Sequence, residues 1–114
     1  MTDREMLEFA AKAAGIRINH WVYDDLDSSP AVLETGEAWN PRDDDGDALR
    51  LAVKCEMSLD LFDDLIRVGY TLPDESLRPA DRTAEVIEWP KADPAAATRR
   101  AIFRAAAEIG RNMP

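Results

Sequence analysis

The sequence predicts a small α/β (α+β) domain, an α/β/α sandwich in which three helices cover a partly antiparallel sheet of four or five strands. Three observations lead there. Apolar residues recur at helical spacing in three segments and alternate at strand spacing in the segments between them. The strand segments are joined by short polar turns, which suit antiparallel pairing. A chain of 114 residues with 46% hydrophobic side chains has the size and balance of one self-sufficient core. No linker, repeat or low-complexity tract divides it, so residues 1–114 are read as a single domain. The predicted order is α-β-β-α-β-β-β-α.

Thr2 opens the first helix. Thr2 and Glu5 stand at capping-box spacing, in which each side chain satisfies an unpaired backbone N–H of the first turn. Leu7, Ala10, Ala11 and Ala14 form one apolar stripe, and Gly15 supplies the left-handed residue that ends a helix. So many alanines predict close approach to a neighbouring element. Residues 16–23 then alternate, with Ile16, Ile18, His20 and Val22 on one side of a strand and Arg17, Asn19, Trp21 and Tyr23 on the other. Residues 24–30, rich in Asp, Ser and Pro, read as a turn, and a short strand over 31–34 pairs back.

Trp39-Asn40-Pro41 leads through an acidic run into a second helix over 48–56. Leu49, Ala52 and Val53 mark one face, and Ala48, Leu51 and Cys55 broaden it, which predicts a largely buried helix. Residues 57–62 alternate, with Met57, Leu59 and Leu61 on one face. Asp63-Asp64 fits a two-residue hairpin turn, and Ile66, Val68 and Tyr70 alternate on the returning strand. Residues 71–83, with Pro73 and Pro79, form a long connection. A last strand over 85–89 stops at Pro90. Asp93 and Pro94 are N-cap and first-turn residues of the third helix, whose apolar face is Ile102, Phe103, Ala106 and Ile109. Gly110 reads as its end signal.

The formal charge is −9. An acidic chain repels phosphate backbones and anionic headgroups, so direct nucleic-acid and membrane-surface binding are disfavoured. The charge is uneven: from Lys91 onward the net is +3, and residues 1–90 carry −12. The basic third helix is therefore expected to lie against an acidic body. The alternative is an anion site built from Arg99, Arg100 and Arg104, with Trp39 covering a bound base.

The acidic run Asp43-Asp44-Asp45-Gly46-Asp47 is not an EF-hand, because setting Gly46 at loop position six leaves Pro41 and Ala52 at positions that require ligands. It is read as a helix start, with Asp44 or Asp45 as cap. His20, the one histidine, falls on the inward set and is read as a buried structural residue. One histidine and one cysteine cannot build a standard structural zinc site, and no disulfide can form within the chain. No cofactor or metal is expected and no catalytic constellation is present, so no enzymatic role is assigned. Trp21, Tyr23 and Trp89, at strands or strand edges, are candidate protein-interface residues.

Three segments together resemble a known family. They are Thr2-Asp3-Arg4-Glu5 with the alanine-rich helix to Gly15, Trp39-Asn40-Pro41 through Asp44-Asp45-Gly46-Asp47 to Lys54, and Asp93-Pro94 through Thr98-Arg99-Arg100-Ala101-Ile102 to Gly110-Arg111. In these the chain resembles the phage ABA sandwich domain, a family of short proteins encoded by tailed phages and prophages. The resemblance covers roughly half of the chain. It implies an α/β/α sandwich and no assigned activity or site residue. The function expected is that of a non-enzymatic phage accessory protein binding a host or phage protein. The alternatives are a small-ligand or nucleotide binder using the arginine cluster, and a self-associating structural module. With no apolar signal core near Met1 and no apolar run approaching the roughly 20 residues of a membrane span, the expected location is the cytoplasm, that of the host if the protein is phage-encoded.

Overall fold

The helices start where their caps stand. In a computed structural model, which describes residues 1–90 and 92–114, Thr2 and Glu5 form the capping box of α1 (Asp3–Ala14), and Gly15 closes it in the left-handed conformation, φ 68°. Lys91, one of the basic residues counted above, lies outside the described residues. Asp44 accepts the Asp47 N–H and caps α2 (Asp45–Lys54), which starts three residues earlier than its apolar pattern. Asp93 accepts the Ala96 N–H at the start of α3 (Pro94–Arg111). Between the helices run β1 (Ile18–Trp21), β2 (Ala31–Leu33), β3 (Ala38–Trp39), β4 (Ser58–Leu61), β5 (Ile66–Thr71) and β6 (Thr83–Glu88), with a 3-10 turn at Pro79–Asp81.

The fold is α+β with three helices and antiparallel sheet, as the sequence predicts. The strand count differs. Six strands form two three-stranded sheets, β1-β2-β3 and β4-β5-β6, in place of one sheet of four or five. The strand absent from the sequence reading is β3: two residues are too short to show alternation, yet they pair with β2 as Ala31↔Trp39 and Val32↔Ala38. The second hairpin is as expected, its two-residue turn closed by the Phe62 N–H donating to the Leu65 carbonyl at 2.9 Å. The connection over 72–82 is tied across its base by Leu72 N–H to the Arg82 carbonyl, 2.8 Å.

A register shift between Ile18 and His20 changes the face assignment on β1. A bulge reverses side-chain alternation beyond it. Trp21, Ala31 and Trp39 therefore share one row across the first sheet, with Ala31 and Trp39 buried. His20 is turned to the other face and is exposed, contrary to the inward position expected of it.

The core centres on α3, which packs against α1, α2, β5 and β6. Ile66, Val68, Tyr70 and Val86 are the buried side chains of the second sheet. Toward α1 the chain is built for closeness: Ala10, Ala11 and Ala14 are buried on one helix, and Ala97, Ala101, Ala105, Ala106, Ala107 and Gly110 on the other. Gly110 marks the tightest point. A Cβ there would lie 1.8 Å from the Phe9 carbonyl oxygen and 2.9 Å from the Phe9 Cα, both backbone atoms. Gly110 is thus a packing residue inside α3 and not its end signal. The helix ends one residue later, where the Asn112 side chain donates to the Glu108 carbonyl at 2.8 Å.

This reverses the usual sign of a glycine substitution in a helix. In open space Gly→Ala stabilises by up to about 1 kcal/mol. Here the methyl group meets backbone that side-chain rotation cannot move, an overpacking cost of roughly 1–3 kcal/mol or more. Gly110→Ala is expected to lower the melting temperature by about 10 °C or more, measured by thermal unfolding followed by circular dichroism. An unchanged or raised melting temperature would show that the two helices have room to separate.

Candidate functional site

Helix α2 carries two apolar stripes. Ala48, Leu51 and Ala52 are buried, with Cys55 half-buried at the C-cap. Leu49 and Val53, one turn apart on the neighbouring face, are 56% and 70% exposed. The expectation of a largely buried α2 fails for these two: the core needs only one side of the helix, and none of the described residues covers the next. Across from Leu49 stands β4, the edge strand of the second sheet, where Leu61 is 64% exposed; Phe62 follows at 51%, its ring beside the Arg67 guanidinium on the other face of the sheet.

Between α2 and β4 lies a groove of about 280 Å³. Ala48 and Leu49 form one wall and Leu59 and Leu61 the other, and Ala95, Thr98 and Ile102 of α3 also line it. Arg99 and Asp45 are its charged lining, and they are bonded to each other at 2.6 Å. Solitary exposed apolar side chains are ordinary on protein surfaces, but a contiguous group around a concavity marks a binding surface.

Of the arginines singled out in the sequence, Arg100 and Arg104 share Glu88 and Arg99 pairs separately with Asp45. Arg99 also donates to the Arg42 carbonyl at 3.1 Å. Arg100 and Arg104 both meet Glu88, at 3.1 and 3.4 Å. Arg99, Arg100 and Arg104 border three different cavities. Trp39 is buried and lines a fourth, with Asp47 and Arg50. The basic helix therefore lies against acidic partners, and the described residues bring no two of these arginines and Trp39 into one anion pocket.

Of the three aromatic interface candidates, Trp21 and Tyr23 both meet Arg4 and Trp89 stands apart. Trp21 is half-buried, with the Arg4 guanidinium 4.7 Å from its ring centroid. Tyr23 is exposed, and its carbonyl accepts from Arg4 at 2.9 Å. Trp89, 61% exposed beyond the end of β6, stands over a separate cavity with Glu88, Ala92, Asp93 and Arg100. The sequence reading did not mark Leu49, Val53, Leu61 or Phe62 as surface. The signal was present in α2, where Ala48, Leu51, Ala52 and Cys55 already complete a core stripe and leave Leu49 and Val53 over.

Few titrating groups are displaced from ordinary behaviour. Burial raises the Tyr70 hydroxyl, Glu108 adds to the effect and Arg104 opposes it. Hydrogen bonds from the Ser76 hydroxyl and N–H lower Asp74 in the long connection. Burial raises the Cys55 thiol, with Lys54 opposing. Among the described residues no three His, Cys, Asp or Glu side chains gather as a metal site, and no helix is long and apolar enough to cross a membrane. The chain matches no protein-family model, and neither a curated protein nor a solved structure is significantly similar to it.

A raised thiol pKa means less thiolate at a given pH, and thiolate is the reactive form. Iodoacetamide at pH 8 is expected to alkylate Cys55 in the folded chain at least about threefold more slowly than in the urea-unfolded chain. Because the fold favours the neutral thiol, stability should fall as the pH rises through the thiol's unfolded-state pKa. Equal alkylation rates, measured by mass spectrometry, would place Cys55 in solvent.

Proposed function

We propose that this chain is a small accessory protein, of the phage-encoded kind its sequence resembles, which works by binding another protein and not by catalysis. The observation that carries the reading is the apolar groove between α2 and β4, lined by Ala48, Leu49, Leu59, Leu61 and Ile102, with Leu49 and Leu61 more than half exposed. Exposed leucines around a concavity impose a solubility cost that a binding partner removes. Among the described residues lining the groove, the Thr98 hydroxyl donates to the Pro94 carbonyl and Asp45 pairs with Arg99, so no nucleophile there is held by a base.

The nucleotide-binding alternative has less support. Its three arginines are each bonded to a carboxylate, so a phosphate would have to displace Asp45 or Glu88. Self-association through an exposed aromatic remains a variant of protein binding, with Trp89 its best-placed residue.

The test is paired capture. Wild-type chain and the variant Leu49→Asp/Val53→Asp are immobilised and exposed to bacterial lysate, and bound proteins are quantified by mass spectrometry. Both positions are exposed, so the variant should melt within about 4 °C of wild type. At least one protein retained by wild type is expected to fall by about tenfold or more on the variant. Identical profiles from the two folded proteins would move the binding surface elsewhere or remove it.

A further inference from the structure

Resting on the reading of this face as a protein-docking site, we propose that the occupant of the groove is an extended peptide of alternating apolar and basic residues, added to β4 as a fourth strand of the second sheet.

The backbone supplies the first reason. Phe62 and Leu65 are a hydrogen-bonded pair, closing the hairpin at 2.9 Å. Counting back along the register, Asp60↔Arg67 and Ser58↔Gly69 are bonded pairs, and Leu61↔Ile66 and Leu59↔Val68 are not. The N–H and C=O groups of Leu59 and Leu61 therefore point away from β5, along the free edge of the sheet. The side chains of these same two residues wall the apolar groove. One strand thus offers main-chain pairing and side-chain burial together, the two requirements for binding by strand addition.

Volume supplies the second reason. At about 280 Å³ the groove has room for only a few side chains. It suits the apolar side chains of a strand, each set opposite Leu59 or Leu61.

Charge supplies the third. The one cation among the lining residues, Arg99, is neutralised by Asp45. Asp63 and Asp64 form the turn beyond Phe62, and on the opposite face of the sheet Asp60, between Leu59 and Leu61, shares Arg67 with Glu85, at 3.1 and 3.8 Å, so two carboxylates there meet one cation. A strand residue opposite Asp60 would point to that outer face, where Lys or Arg is favoured over an acidic or apolar residue. A second copy fits less well. Self-pairing that sets Leu59 against Leu61 puts Asp60 against Asp60, and each chain carries −9.

The probe is the synthetic peptide Lys-Val-Lys-Val-Lys-Leu-Lys, titrated into the full chain with amide hydrogen exchange followed by NMR. At saturation the Leu59 and Leu61 amides are expected to exchange at least about tenfold more slowly, and the Asp60 amide, already paired with β5, is expected to change little. Two further peptides carry backbone N-methyl groups, one on every apolar residue and one on every lysine. Methylating the set whose amides face β4 is expected to weaken binding at least about tenfold, and the other set is expected to be tolerated. Loss with the apolar set indicates an antiparallel strand, and loss with the lysine set a parallel one.

Equal binding of all three peptides would overturn strand addition while leaving the docking reading intact. So would a basic helical peptide that perturbs Leu49 and Val53 without protecting Leu59 or Leu61. No binding of any peptide, with lysate capture still lost on Leu49→Asp/Val53→Asp, would overturn this inference alone. Concentration-dependent protection of Leu59 and Leu61 without peptide, with a dimer mass in sedimentation, would make a second copy the occupant and overturn it likewise.

Discussion

The contact between α1 and α3 constrains everything else in the molecule. Two helices close enough for backbone to lie against backbone need small side chains at the approach, and both supply them: Ala10, Ala11 and Ala14 beside Leu7 on α1, and alanines with Gly110 on α3. Such an interface buries little area per residue, so its stability depends on fit and not on bulk. The large side chains are then available elsewhere. Ile102 and Phe103 are buried along the same helix, and β5 and β6 pack against it with Val68 and Val86. The groove opens where α3 passes α2, beside Ala95, Thr98 and Ile102.

How far this was legible in the sequence varies by element. The helices were legible because their ends are set by local chemistry: Thr2 with Glu5, Asp44, and Asp93 with Pro94 each satisfy N–H groups within three residues of themselves. The β4–β5 hairpin was legible for a similar reason. The first sheet was harder to read. The faces of β1 depend on a bulge, which no periodicity announces, and β3 exists only because β2 is there to pair with it. Gly110 looked like a terminator because glycine usually is one after an apolar stripe. Its actual role depends on Phe9, about 100 residues away in sequence.

The candidate site was the least legible part, and the reason is physical. Arginines and tryptophans attract attention because their chemistry is distinctive, yet here the arginines meet carboxylates and Trp39 is core. Leucine and valine look alike in a sequence whether they are buried or exposed. What separates Leu49 from Leu51 is which side of α2 the rest of the chain occupies. An apolar docking face is a property of what is left uncovered, and so it becomes visible only once the packing is known.

The partnership of α1 with α3 also bears on how the protein is made. A ribosome releases α1 early and α3 only after every other element of the fold, so the alanine face of α1 has no companion through most of synthesis. Small side chains expose little apolar area in that interval, which limits how strongly the waiting helix attracts other nascent chains. The second sheet waits as well, because Val68 and Val86 depend on α3 for cover. Neither the α1–α3 interface nor the cover of the second sheet can therefore form until the last helix has been made.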